Sequence, residues 1–136
     1  MLGVRHQADH VAALVGDAGD VAQRPVGVDV EVVNADIPWT AGCERGQVLS
    51  IPAKHTTGRY WAPDPVLDEL EANGQVVLRY APGHNFNGSA RDIAGVCNAA
   101  GNVLGLMPHP EHAVDRLTGS ADGLRLFESA ARVAVA

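Results

Sequence analysis

The stretch Val103–Glu111, V-L-G-L-M-P-H-P-E, holds the residues best suited to chemistry, because His109 and Glu111 stand two apart at the end of an apolar run. Leu104, Leu106 and Met107 read as a buried strand, and Pro108 and Pro110 fix φ on both sides of His109. The chain should therefore leave the strand abruptly and hold the imidazole on a stiff turn. A rigid imidazole beside a carboxylate suits a general base oriented by an acid, which needs only a nucleophile opposite to complete a triad. The same residues also make a Pro-rich turn whose histidine simply bonds to backbone, and the local pattern leaves both readings standing.

The elements that must position this turn can be read from periodicity. Val26, Val28, Val30 and Val32 alternate with Gly27, Asp29, Glu31 and Val33, which predicts a strand with one buried face. Gln47–Pro52 and Gln75–Tyr80 read as further strands. Between them Asp64 before Pro65 starts a helix whose stripe Val66, Leu67, Leu70 covers a sheet face and ends at Asn73-Gly74. Ile93–Cys97 and Asn102–Met107 flank Asn98-Ala99-Ala100-Gly101 as a hairpin, and the second strand runs into His109. Ser120 is expected to cap a last helix in which Leu124, Phe127, Ala131 and Ala134 share a face. The class is α/β.

Residues 1–25 have no sustained period, and Gly16, Gly19 and Pro25 interrupt any helix beyond a short turn, so this segment is left unassigned and the domain is placed at 26–136. His6 and His10 could share a helical face, but two ligands without a third make a solvated face the better reading.

Composition narrows the function classes. A chain of 136 residues makes one domain or part of one. It is 46% hydrophobic without an apolar stretch long enough to cross a bilayer or a charged-then-apolar leader, so a soluble, cytoplasmic protein is expected, with no membrane partner. Two cysteines without metal-ligand spacing, Cys43 and Cys97, are expected as buried or half-buried free thiols. A net charge of −6 argues against nucleic acid, which needs Lys and Arg to neutralise phosphates. His109-Pro110-Glu111 matches the H-x-E of zinc deaminases, but no P-C-x-x-C follows. Glu111 and His112 with His84 could chelate zinc, yet His84 belongs to an irregular loop, so no metal site is expected. Gly83–Gly88 lacks the Gly-Lys-Ser/Thr of a phosphate loop.

Many short blocks in one order narrow the reading further. They include Asn34-Ala35-Asp36-Ile37-Pro38-Trp39, Glu44-Arg45-Gly46-Gln47-Val48-Leu49, Ile51-Pro52-Ala53-Lys54-His55, Gly58-Arg59-Tyr60, Asn87-Gly88-Ser89, Asp92-Ile93-Ala94-Gly95-Val96-Cys97-Asn98 and Gly101–Glu111. With these the chain resembles, from about Val26 to Val133, the C-terminal half of the glutaminase subunit of phosphoribosylformylglycinamidine synthase, a class I glutamine amidotransferase. The resemblance implies part of a flavodoxin-like mixed sheet with flanking helices, the N-terminal half being absent. It makes His109 the catalytic base and Glu111 its orienting carboxylate.

The family's nucleophile is a cysteine on a strand-to-helix elbow in the first half of a longer chain. Neither Cys43 nor Cys97 has that setting. In the family the turn at 54–60 usually reads A-H-G-E-G-R-Y, near the glutaminase site and the synthetase. Here Thr56 and Thr57 replace Gly and Glu, which removes any contact by that carboxylate. The resemblance puts His55, Arg59, Asn87 and Ser89 in the substrate or interface vicinity. Their plainer readings are a surface ion pair for Arg59 and an ordinary Gly-containing turn for Asn87–Ser89.

In a complete family member a cysteine thiolate attacks the side-chain amide of glutamine, and ammonia passes to a synthetase partner that uses ATP and magnesium. This chain itself would bind glutamine and no cofactor. The rival reading is a non-catalytic remnant or an interaction module docking to the synthetase or to a separate N-terminal half. Either way an open strand edge and an uncovered apolar face are expected to drive self-association.

Overall fold

The structure is a computed structural model that describes residues 26–54 and 58–135. Five strands form one sheet: β1 (Val26–Val32), β2 (Val48–Ala53), β3 (Val76–Tyr80), β4 (Ile93–Cys97) and β5 (Leu104–Leu106), in the order β2-β1-β3-β4-β5. Every pairing among these strands is antiparallel. Two helices flank the sheet, α1 (Asp64–Ala72) and α2 (Leu124–Ala134). The expected α/β architecture is thus in place.

The valine alternation of β1 buries Val28, Val30 and Val32 in one core cluster with Leu49, Ile51, Leu78 and Leu126. A second cluster packs Leu67 and Leu70 of α1, with Tyr60, against Val76, Ile93 and Val96. Leu67 and Leu70 are almost wholly buried, and each such leucine contributes roughly 2 kcal/mol by removing apolar surface from water. The β4–β5 turn closes as expected on Asn98, whose carbonyl accepts the Gly101 N–H at 2.9 Å. Gly101 has φ +72°, which a side chain would strain, and a Cβ there would also press on Ile37 at 3.0 Å.

The last helix departs from expectation. It buries Leu126 and Ser129 rather than the stripe Leu124–Phe127–Ala131–Ala134, and Leu124 and Phe127 remain part-exposed. The reason is a close approach through small groups: the Ser129 hydroxyl accepts the Gly42 N–H at 2.9 Å and donates to the Arg125 carbonyl at 2.6 Å. A bulky apolar face would not fit so near that backbone. Ser120 does not cap the helix, because its hydroxyl accepts the Asp122 N–H and the helix begins only at Leu124, after Gly123.

Candidate active site

Beyond β5 the chain buries Met107 and Pro108 and crosses back to the outer edge of β2. There the His109 N–H donates to the Pro52 carbonyl at 2.8 Å. Pro52 has no N–H of its own, which suits an edge position, and the neighbouring Ser50 N–H donates to the Asp122 carboxylate at 2.9 Å. Pro110 then sets the first turn of a 3₁₀ helix, Pro110–His112, for which its fixed φ is preorganised.

This turn brings His109 Nδ1 within 2.7 Å of Glu111 Oε1. An ionised carboxylate only accepts, so Nδ1 carries the proton and Nε2 is the basic nitrogen of the neutral ring. Partial burial works to raise the Glu111 pKa, but the hydrogen bond from His109, its own backbone and the nearby His112 outweigh it and hold the carboxyl below the usual range. The His109 side chain is 28% exposed, with its Nε2 atom on the buried side of the ring. It stands at the rim of a concavity of ≈ 410 Å³ walled by Trp39, Leu104, Leu106 and Phe127. An apolar slot ending in an oriented base is a fitting shape for proton transfer to or from a bound substrate.

Neither cysteine lines that slot; both are free and buried, and burial raises both thiols above their ordinary pKa, at Cys43 against the opposing pull of Arg125 and Ser129. His55 lies outside the described residues, as do residues 1–25. Arg59 is exposed and forms no ion pair among the described residues. Asn87 and Ser89 are gathered elsewhere than the dyad. The Ser89 hydroxyl accepts the Tyr60 N–H at 3.0 Å and donates to Asn87 Oδ1 at 2.9 Å, tying loop 85–89 to the segment before α1. His84 does not join Glu111 and His112, because its Nδ1 accepts the Asp29 N–H at 3.1 Å in the middle of β1.

Sequence reasoning pairs His112 with Glu111 only as a possible zinc ligand and does not connect Lys54 with the dyad. His112 stacks on His109, ring centroids 5.6 Å apart and planes 25° from parallel, and Lys54 Nζ lies 3.1 Å from His112 Nε2. A 3₁₀ turn eclipses residues three apart, so the spacing His109-x-x-His112 after a proline was the signal that could have found the stack.

Next to the Ser89 cluster the Tyr80 hydroxyl is buried without a hydrogen-bond partner among the described residues. Burial pushes its pKa up to about 12, Ser89 and Asn87 pulling the other way from nearby. A raised folded pKa gives stability that is complete below the unfolded value near 10 and is lost as pH rises toward the folded one. Tyr80→Phe should therefore flatten the alkaline fall in stability, by about 2 kcal/mol at the top of that window, and cost almost nothing at pH 7. Urea melts at pH 7 and pH 11 check this, and equal alkaline losses in both proteins would contradict it.

Comparison with known proteins identifies the family. Residues 24–132 match the model of the CobB/CobQ-like glutamine amidotransferase domain. The chain is 53% identical over 109 residues to phosphoribosylformylglycinamidine synthase subunit PurQ of Rhizobium meliloti (strain 1021), covering 80% of this chain and 49% of that protein. It is 60% identical over 92 residues to the PurQ subunit of Frankia casuarinae, covering 67% of this chain and 39% of that protein. The solved structure of PurLQS from Thermotoga maritima superposes with a TM-score of 0.70 at 41% identity, over 83% of this chain and 49% of that one. The chain thus spans about half the length of the first two curated relatives in this comparison, 49% and 47%. With the family model covering most of its residues and the PurQ subunits so similar along it, the chain belongs to the CobB/CobQ-like glutamine amidotransferases.

Proposed function

We propose that this chain supplies the base and the orienting acid of a glutaminase serving phosphoribosylformylglycinamidine synthase in purine biosynthesis. The observation that carries the reading is the 2.7 Å contact between His109 Nδ1 and Glu111 Oε1 at the mouth of an apolar slot. His109 Nε2 takes the proton of a cysteine thiol, the thiolate attacks the side-chain amide carbon of glutamine, and the imidazolium returns the proton to the departing ammonia. Water deprotonated by the same nitrogen then hydrolyses the glutamyl thioester to glutamate. Glu111 holds the tautomer throughout.

Cys43 and Cys97, both buried, are poor candidates for that thiol. The nucleophile and the oxyanion donors belong to the portion of the relatives that this chain does not match. His55, Arg59 and Asn87 are proposed to lie in the substrate or partner vicinity, the buried Ser89 holding the loop that carries Asn87. The partner is a synthetase subunit, which holds the ATP and magnesium, and the setting is cytoplasmic. Exposed apolar side chains, among them Val103, Leu124 and Phe127, are surface for the rest of the enzyme or a second copy to cover.

The isolated chain should accordingly release no ammonia from glutamine above background and should sediment as dimers or larger assemblies. Adding the N-terminal half of a related subunit in trans should restore turnover and disperse them. Turnover by the chain alone that disappears in Cys97→Ser or Cys43→Ser would reveal an unrecognised nucleophile. A stable complex without turnover would favour an interaction module instead.

A further inference from the structure

Among the described residues one group of histidine, cysteine and carboxylate side chains is close enough to chelate: one ligand atom each from His109, Glu111 and His112 lies within 4.8 Å of the other two. His109 Nδ1 and Glu111 Oε1 are 2.7 Å apart, and Glu111 Oε1 and His112 Nδ1 are 3.9 Å apart. Tetrahedral zinc with bonds of about 2.0–2.1 Å places its ligand atoms roughly 3.3 Å apart, between those two separations. All three side chains are at least part-exposed, and they lie on one short turn whose backbone is pinned to β2 and α2. Small rotations of the side chains alone close the cage, and a water completes it.

We propose that His109, Glu111 and His112 form a zinc site that captures the dyad. Neutral histidines bind the metal, so zinc replaces the proton on His109 Nδ1 and the ring stays neutral by carrying its proton on the buried Nε2 instead, with no net change in proton count. His112 behaves differently. The Lys54 ammonium only donates, so its contact with His112 Nε2 puts the neutral ring's proton on Nδ1, the atom nearer Glu111. Zinc needs Nδ1 bare. Lys54 must therefore turn away before the metal can bind, and its positive charge repels the cation as well. The lysine acts as a brake on the site, so affinity is tuned by a residue that is not a ligand. Zinc held here also occupies the base, a consequence that rests on the glutaminase reading, whereas the binding itself rests on side-chain placement alone.

Titration of the full chain with zinc against a chromophoric chelator tests the proposal, using His6→Ala/His10→Ala as background so that this pair adds nothing. One zinc per chain is expected. His112→Ala should weaken binding by at least about tenfold, since even the loss of a residue supporting a zinc ligand costs that much. Lys54→Met should tighten it several-fold, an effect that misfolding would not produce. Cobalt in place of zinc should give the strong visible bands of a tetrahedral site. Failure to bind one equivalent, or equal affinity in the parent and His112→Ala, would overturn the site. Zinc binding without glutaminase activity in any complemented complex would sink the functional reading and leave this one standing.

Discussion

His109→Ala should abolish glutamine hydrolysis in the complemented enzyme, by about 10³-fold or more in kcat, while the melting curve barely moves. The His109 backbone makes the bond to Pro52 and would survive the substitution, whereas the base would not. No neighbour can replace it. His112 stacks on the ring, but Lys54 engages its Nε2 and its Nδ1 faces Glu111 at 3.9 Å. Glu111→Gln should cost less, because an amide can still reach Nδ1 although it no longer fixes the tautomer or stabilises the imidazolium. Ammonia release under saturating glutamine measures both. Full activity in His109→Ala would reduce this histidine to a turn residue.

The second large effect is expected at a residue that bears no functional group. Gly123, just before α2, lies so close to the dyad turn that an added Cβ would fall 2.8 Å from the Pro110 carbonyl carbon and nearer still to its oxygen. Pro110 sits between His109 and Glu111, and its carbonyl accepts the Ala113 N–H at 3.0 Å. Backbone on both sides cannot yield as a side chain would. Gly123→Ala should destabilise the fold by about 1–3 kcal/mol, lowering the melting temperature by roughly 5 °C per kcal/mol, and should reduce glutaminase activity of the complemented enzyme even below that melting point. Gly27→Ala serves as the control, since the nearest atom to its added Cβ is the Ser50 hydroxyl at 4.0 Å. Equal stability of the two variants would refute the argument.

Strong local periodicity explains which parts were legible from sequence. The valines of β1, the Asp64-Pro65 helix start and the Asn98–Gly101 turn each depend on neighbours in the chain, and the structure has β1, a helix beginning at Asp64 and the β4–β5 hairpin where they were expected. The face of α2 was misjudged because hydrophobicity ranks Phe127 above Ser129, while the packing rewards a small hydroxyl able to meet the Gly42 N–H. β5 is shorter than the expected Asn102–Met107, because its ladder with β4 runs only from Cys97↔Leu104 to Gly95↔Leu106. Arg91 and Asp92 both take positive φ, 51° and 58°, which no residue type announces. Side-chain bonds beyond their immediate neighbours hold them instead: Arg91 pairs with Asp68 at 2.8 Å, and Asp92 accepts from Asn85 at 2.8 Å. The His109–Glu111 contact was one of two readings that the prolines and the two-residue spacing left open, and the family resemblance favoured it. The meeting of His112 with Lys54 was not legible, since they lie 58 positions apart and only the return of the chain to β2 unites them.

That return has a kinetic meaning. The His109 amide proton is bonded to the edge strand β2 rather than to water, so it exchanges with solvent only when this turn and β2 separate. The backbone of the dyad is therefore tied to the sheet at this point, and its exchange reports the separation of turn and strand. Any opening needed to admit glutamine or release glutamate must come from other segments, and the base and its carboxylate wait in register while those segments move.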